Sequence, residues 1–184
     1  MNEQPPRITR RRALHVVLAG AFVAAGASAV AIVGGFLKPR TPQEFGAPFL
    51  VGNVRDYARG GAPERPTTFG VWLANLDPAD NQTNGAGGGA GLLACWEKCP
   101  HLGSTIDWRP DLEYEGTRGW YRCRSHGGTF TRAGVRVFGP PPRSMDTMRV
   151  TVDDDGRITV DTGNITRGGS DNPKRAVDHP LLPT

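Results

Sequence analysis

Two short stretches decide how this chain is read: Cys99-Pro100-His101-Leu102-Gly103-Ser104 and Cys123-Arg124-Ser125-His126-Gly127-Gly128. Each sets one sulfur and one imidazole a few residues apart, and about one hairpin of chain separates the two. The whole sequence of 184 residues contains 4 histidines and 3 cysteines. His15 falls in an apolar N-terminal segment and His179 near the C-terminus. That leaves His101 and His126 as the imidazoles of the part expected to fold, and both stand close to a cysteine. Two chance pairings are improbable, so unrelated buried thiols and imidazoles account poorly for the pattern.

Thiolate and imidazole together are metal ligands. One option is a structural zinc with two sulfurs and two nitrogens, although its usual spacing groups Cys with Cys and His with His. The other is a two-iron cluster gripped by two loops, each of which mixes the types. One iron then takes both thiolates and the other both imidazoles. Neutral imidazoles bring less negative charge than thiolates, which raises the reduction potential above that of an all-cysteine cluster. If Cys99 and Cys123 bind metal, Cys95 is left alone and no disulfide can form within the chain.

The composition includes 25 glycines and 16 prolines, with 38% hydrophobic residues. That favours an all-β domain of short strands and turns over long helices. The net charge is +4, but Arg7, Arg10, Arg11 and Arg12 crowd the first twelve residues and the remainder is close to neutral. A nucleic-acid-binding reading loses its main support.

Residues 13–37, ALHVVLAGAFVAAGASAVAIVGGFL, carry no formal charge. As a helix they extend roughly 37 Å, enough to cross a hydrocarbon core of about 30 Å with some tilt. The basic residues 1–12 then stay in the cytoplasm and the following domain faces outward. Thr9-Arg10-Arg11-Arg12-Ala13-Leu14 also resembles a twin-arginine export signal, a route for proteins already folded around a cofactor. Ala27-Ser28-Ala29 suits signal-peptide cleavage, but apolar sequence continues to Leu37, which favours a retained anchor in the lipid bilayer. A buried helix of a soluble domain is the bland third option.

Residues 38–46 read as a linker, 47–162 as the folded domain and 163–184 as a polar, extended tail. Strands are predicted at 48–54, 67–76, 92–96 and 118–122, with one hairpin turning at Ala133-Gly134. A second is predicted around Asp154-Asp155-Gly156. Residues 81–91, NQTNGAGGGAG, read as a surface loop; they lack the Lys-Ser/Thr ending of a phosphate cradle.

The two Cys–His boxes, followed by Gly139-Pro140-Pro141-Pro142, resemble the two ligand loops and the proline loop of the Rieske iron–sulfur family. The resemblance covers roughly residues 46–162. It implies an antiparallel β-sandwich with an inserted cluster-binding subdomain, preceded here by one transmembrane helix. It also implies a [2Fe–2S] cluster with Cys99 and Cys123 on the inner iron and His101 and His126 on the outer iron near the surface. Membrane-anchored members are subunits of quinol–cytochrome c oxidoreductases, the cytochrome bc complexes. The chain is thus expected to be a redox subunit, not catalytic alone, that works with a cytochrome b subunit and a quinol. It would pass an electron to a c-type cytochrome on the outer side of a bacterial cytoplasmic membrane. A surface imidazole, His101 or His126, can take the proton from a quinol hydroxyl as the electron leaves, and residues 38–46 would tether the head.

Three departures from that family matter. Respiratory members carry a second cysteine in each loop and bridge them; here those positions are Ser104 and Ser125. Two hydroxyls that stabilise the reduced cluster are replaced by Gly128 and Phe130. The potential is therefore expected to be low, matching a low-potential donor such as menaquinol, and Gly128→Ser is expected to raise it. Cys95 is expected to be a small buried thiol. Two further functions compete: an exported stand-alone Rieske ferredoxin or small subunit of a periplasmic oxidase such as arsenite oxidase, and a zinc-stabilised binding module.

Overall fold

The computed structural model describes residues 9–37, 45–66, 69–80, 82 and 89–183. The chain divides into two units, an N-terminal helix and a β domain, each described by itself.

Helix α1 spans Arg10–Leu37, 28 residues, and starts three residues before the apolar run. Thr9 begins it: its hydroxyl accepts from the Arg12 N–H at 3.4 Å and its carbonyl from the Ala13 N–H at 3.0 Å. None of its side chains is buried. By length and composition it can cross a membrane. Most of the expected 38–46 linker lies outside the described residues. Its end is fastened to the β domain: the Phe45 and Trp96 rings lie 5.4 Å apart, and the Gly46 N–H donates to Thr162 Oγ1 at 2.7 Å.

The β domain has two sheets whose strands all pair antiparallel. One has the order β1 (Pro48–Asn53), β9 (Arg157–Thr166), β8 (Thr147–Val152), β3 (Gly91–Trp96), β2 (Val71–Leu76). The other runs β4 (Ile106–Tyr114), β5 (Thr117–Cys123), β6 (Thr129–Phe130), β7 (Arg136–Phe138). The second sheet is an insertion: it leaves the first after β3 and returns at β8, and those two strands pair at Ala94↔Met148 and Cys95↔Thr147. The Trp96 N–H donates to the Asp146 carbonyl at 2.8 Å and closes the neck.

Alternation of side chains explains two cores. Val71, Leu73, Leu92, Ala94, Val150, Ile158 and Val160 form one on the first sheet. Ala74, Leu76, Leu93 and Cys95, on the opposite face of β2 and β3, form the other with Ile106, Tyr121, Cys123 and Phe130 of the insertion. Being covered on both faces, β3 reads as the unbroken apolar run Leu92–Leu93–Ala94–Cys95.

Two expectations are corrected. Strand β4 is an element that the sequence analysis does not predict: Pro110 interrupts its pattern, and the ladder skips between Arg109 and Glu113, where that residue is accommodated. The segment after residue 162 is not an extended tail. Strand β9 runs on to Thr166, Asn172 and Leu182 are buried, and Val177 exchanges 2.9 Å backbone hydrogen bonds with Leu92. The Asn172 amide donates to the Met145 carbonyl at 2.9 Å. A few well-placed groups hold this polar stretch, which a hydropathy pattern does not register.

Candidate metal centre

The two Cys–His boxes fold alike. In the first, the Cys99 N–H donates to the Ser104 carbonyl at 2.8 Å and the Gly103 N–H to the Cys99 carbonyl at 2.8 Å. In the second, the Cys123 N–H donates to the Gly128 carbonyl at 2.8 Å and the Gly127 N–H to the Cys123 carbonyl at 3.2 Å. Both turns need a glycine four residues after the cysteine, with φ +76° at Gly103 and +65° at Gly127. That shared glycine offset was visible in the sequence and is the signal of matched loops.

The four expected donors stand on the two adjacent loops as a thiol pair and an imidazole pair; among the described residues no three His, Cys, Asp or Glu side chains group closely enough to hold a single metal ion. The Cys99 and Cys123 thiols are both buried and belong to the same core cluster. The His101 and His126 rings stand 4.9 Å apart at 75°. His126 is exposed and His101 half-buried. Burial pushes the Cys99 thiol up to about 11; N–H groups of His101 and Leu102 directed at it act the other way, and the Cys123 sulfur raises it further. Buried His101 Nδ1 has no hydrogen-bond partner among the described residues. A nitrogen lone pair sealed away from water calls for a partner, and a metal ion suits it. Paired sulfurs inside and paired imidazoles outside are the donor set of a mixed-ligand two-iron centre.

The loops are tied to each other without a disulfide. Ser125 Oγ donates to Ser104 Oγ at 2.7 Å. The Arg124 N–H donates to the Thr105 carbonyl at 3.1 Å. The Arg124 guanidinium grips Asp107 with two bonds, through Nε and, at 2.8 Å, through Nη2. That bond holds the Asp107 carboxyl below the usual carboxylate range. Neither Asp107 nor Arg124 stands out in the sequence, because the fold brings them together: the β4–β5 ladder sets Asp107 opposite Arg122, and Arg124 follows just past the end of β5.

The Gly139–Pro142 loop covers the second box. A Cβ placed on Gly139 would lie 2.8 Å from Gly128 Cα, so the two backbones touch there. A Cβ on Gly128 would collide with Pro141 Cγ and stand 2.9 Å from its Cδ. Gly128→Ser would therefore displace the proline loop, and it does not isolate the effect of a hydroxyl. Cys95 is fully buried on β3, where burial pushes its thiol up to about 12.

No protein-family model matches the chain. It is similar to the cytochrome b6-f complex iron–sulfur subunits 2 and 1 of the Cyanophora paradoxa cyanelle. Each is 25% identical, and the match covers 87% of this chain and 66% of theirs. The chain thus spans somewhat under two thirds of those relatives' length. A Synechococcus cytochrome b6-f complex iron–sulfur subunit is 33% identical over 72 residues, 39% of this chain and 37% of that one. Among solved structures, the plasma membrane Rieske protein of Synechocystis PCC 6803 superposes with a TM-score of 0.39 at 22% identity, over 61% of this chain and 97% of that one. The soluble domain of Rieske protein II of Sulfolobus acidocaldarius gives 0.40 at 17% identity, over 62% and 76%. The two matched Cys–His loops on an inserted antiparallel sheet and the similarity to iron–sulfur subunits agree with the Rieske resemblance read from the sequence, and a Rieske-type [2Fe–2S] cluster is the cofactor which that resemblance implies.

Proposed function

We propose that Cys99 and Cys123 hold the inner iron of this cluster and His101 and His126 the outer one. We further propose that the chain is the electron-transfer subunit of a membrane quinol–cytochrome c oxidoreductase. One observation carries the reading: two loops of the same backbone form present paired thiols inward and paired imidazoles outward. The relatives named as cytochrome b6-f subunits and the long apolar helix support the membrane complex. The cluster supplies reversible uptake of one electron. The residues of this chain do the rest. Buried thiols keep water from the sulfur side, and exposed His126 is placed to accept a proton from a quinol hydroxyl.

In this reading the quinol is menaquinol, because Gly128 and Phe130 offer no hydroxyl to stabilise the reduced state. The partners are a cytochrome b subunit and a c-type cytochrome acceptor. The N-terminus stays in the cytoplasm, the twin-arginine-like signal directs export, and the β domain works on the outer side.

Iron and acid-labile sulfide analysis of the purified chain, with low-temperature EPR after dithionite reduction, tests the ligand set. The wild-type chain is expected to hold two irons per molecule in a paramagnetic reduced state. Cys99→Ser and Cys123→Ser are expected to lose them. Zinc in place of iron, or iron retained in both serine variants, would overturn the assignment. Co-purification with a cytochrome b tests the complex.

A further inference from the structure

Two arginines flank Cys123, and they are held differently. The charge of Arg124 is met by Asp107. Among the described residues no carboxylate forms a salt bridge with Arg122. Its guanidinium is instead fixed on neutral groups. Nη1 donates to Thr129 Oγ1 at 2.7 Å, and that buried hydroxyl donates to the Gly127 carbonyl at 3.1 Å. A Cβ placed on Gly127 would lie 2.6 Å from Arg122 Nη2 and 3.0 Å from its Cζ. A positive charge with no salt-bridge partner among the described residues, although Asp107 stands opposite it in the β4–β5 ladder, thus rests against the residue that follows His126, half-buried, where water screens it less than at the surface.

We propose that Arg122 is an electrostatic tuning residue. Its fixed charge favours the reduced, more negative state of the centre held by the two loops and partly offsets the hydroxyls missing at positions 128 and 130. Thr129 is its positioning partner. The inference rests on the ligand assignment above and adds a residue that touches no ligand atom.

The test is a redox titration of the loaded, full-length protein followed by EPR, with Arg122→Gln, Arg122→Lys and Thr129→Val beside the wild type. Arg122→Gln is expected to lower the midpoint potential, by an amount that shrinks as ionic strength rises. Arg122→Lys, which keeps the charge, is expected to restore most of it. A purely structural role would change stability without this pattern. An Arg122→Gln protein with an intact spectrum and an unshifted midpoint would overturn the proposal. Should Arg122→Gln fail to hold iron, Thr129→Val decides. It keeps the charge but releases the guanidinium, so the midpoint should fall, and an unshifted one would be equally damaging. Absence of iron from the wild type is a separate failure, of the ligand assignment, and it shows before any variant is made.

Discussion

In the first Cys–His loop Gly103 faces open space; in the second, Gly127 lies against the Arg122 guanidinium and Gly128 against Pro141. The backbones match, yet one loop is bare on its outer side and the other is packed. The comparison separates two demands on these glycines. At Gly103 the demand is conformational, because the turn needs φ +76°. At Gly128 it is volume, because the proline loop occupies the place of a side chain. A shared motif can therefore conserve its shape while its surroundings assign different tasks to equivalent positions.

Substitutions can break or sharpen that comparison. The largest expected effect comes from joining the loops covalently. Ser104→Cys with Ser125→Cys places sulfurs where two hydroxyls now hydrogen-bond at 2.7 Å, 21 residues apart in sequence. A disulfide closing such a loop is expected to stabilise the fold by about 3 kcal/mol. Denaturant titration with and without reductant reads this, and added thiols that stay free after oxidation would show that the loops do not meet as described.

Gly128→Ala comes next. Its methyl group meets Pro141, and overpacking of this kind destabilises by about 2 kcal/mol. Gly103→Ala carries only the strain of positive φ in open space, about 1 kcal/mol. Thermal unfolding of the pair should rank them in that order; equal losses would mean the proline loop yields freely.

The ion pair between the loops gives a pH-dependent effect. The carboxyl of Asp107 is lowered in the folded state, so its contribution is complete above the ordinary carboxylate value of about 3.9. It is lost as pH falls through the depressed folded value. Asp107→Asn should be less stable than wild type at neutral pH and converge with it in strong acid. A gap that persists in acid would place the effect elsewhere. Ser125→Ala should do least, about 0.5 kcal/mol, since both hydroxyls are partly open to water.

Much of this was legible in the chain itself. The apolar N-terminal helix and the hairpin around Asp154-Asp155-Gly156 appear where periodicity and residue type predict them, and the two Cys–His boxes form loops of the same backbone shape. Strand β4 and its turn were not legible. The turn uses Glu115 at φ +50° before Gly116, outside the usual Asn-Gly or Asp-Gly signal. Residues 163–184 read as a tail because their attachment depends on single groups, such as the Asn172 amide and Leu182, rather than on a repeating pattern.

The sequence by itself determined which atoms are available: two thiols, two imidazoles, paired serines, and a helix long enough to span a bilayer. Those are local properties of composition and spacing. Only the tertiary structure decided how they are used. The serines hydrogen-bond to each other, Arg124 finds Asp107, and Arg122 keeps its charge against the second loop. Each of these depends on strand register and on which chain segments pack together, and a side chain's chemistry does not specify its distant neighbour.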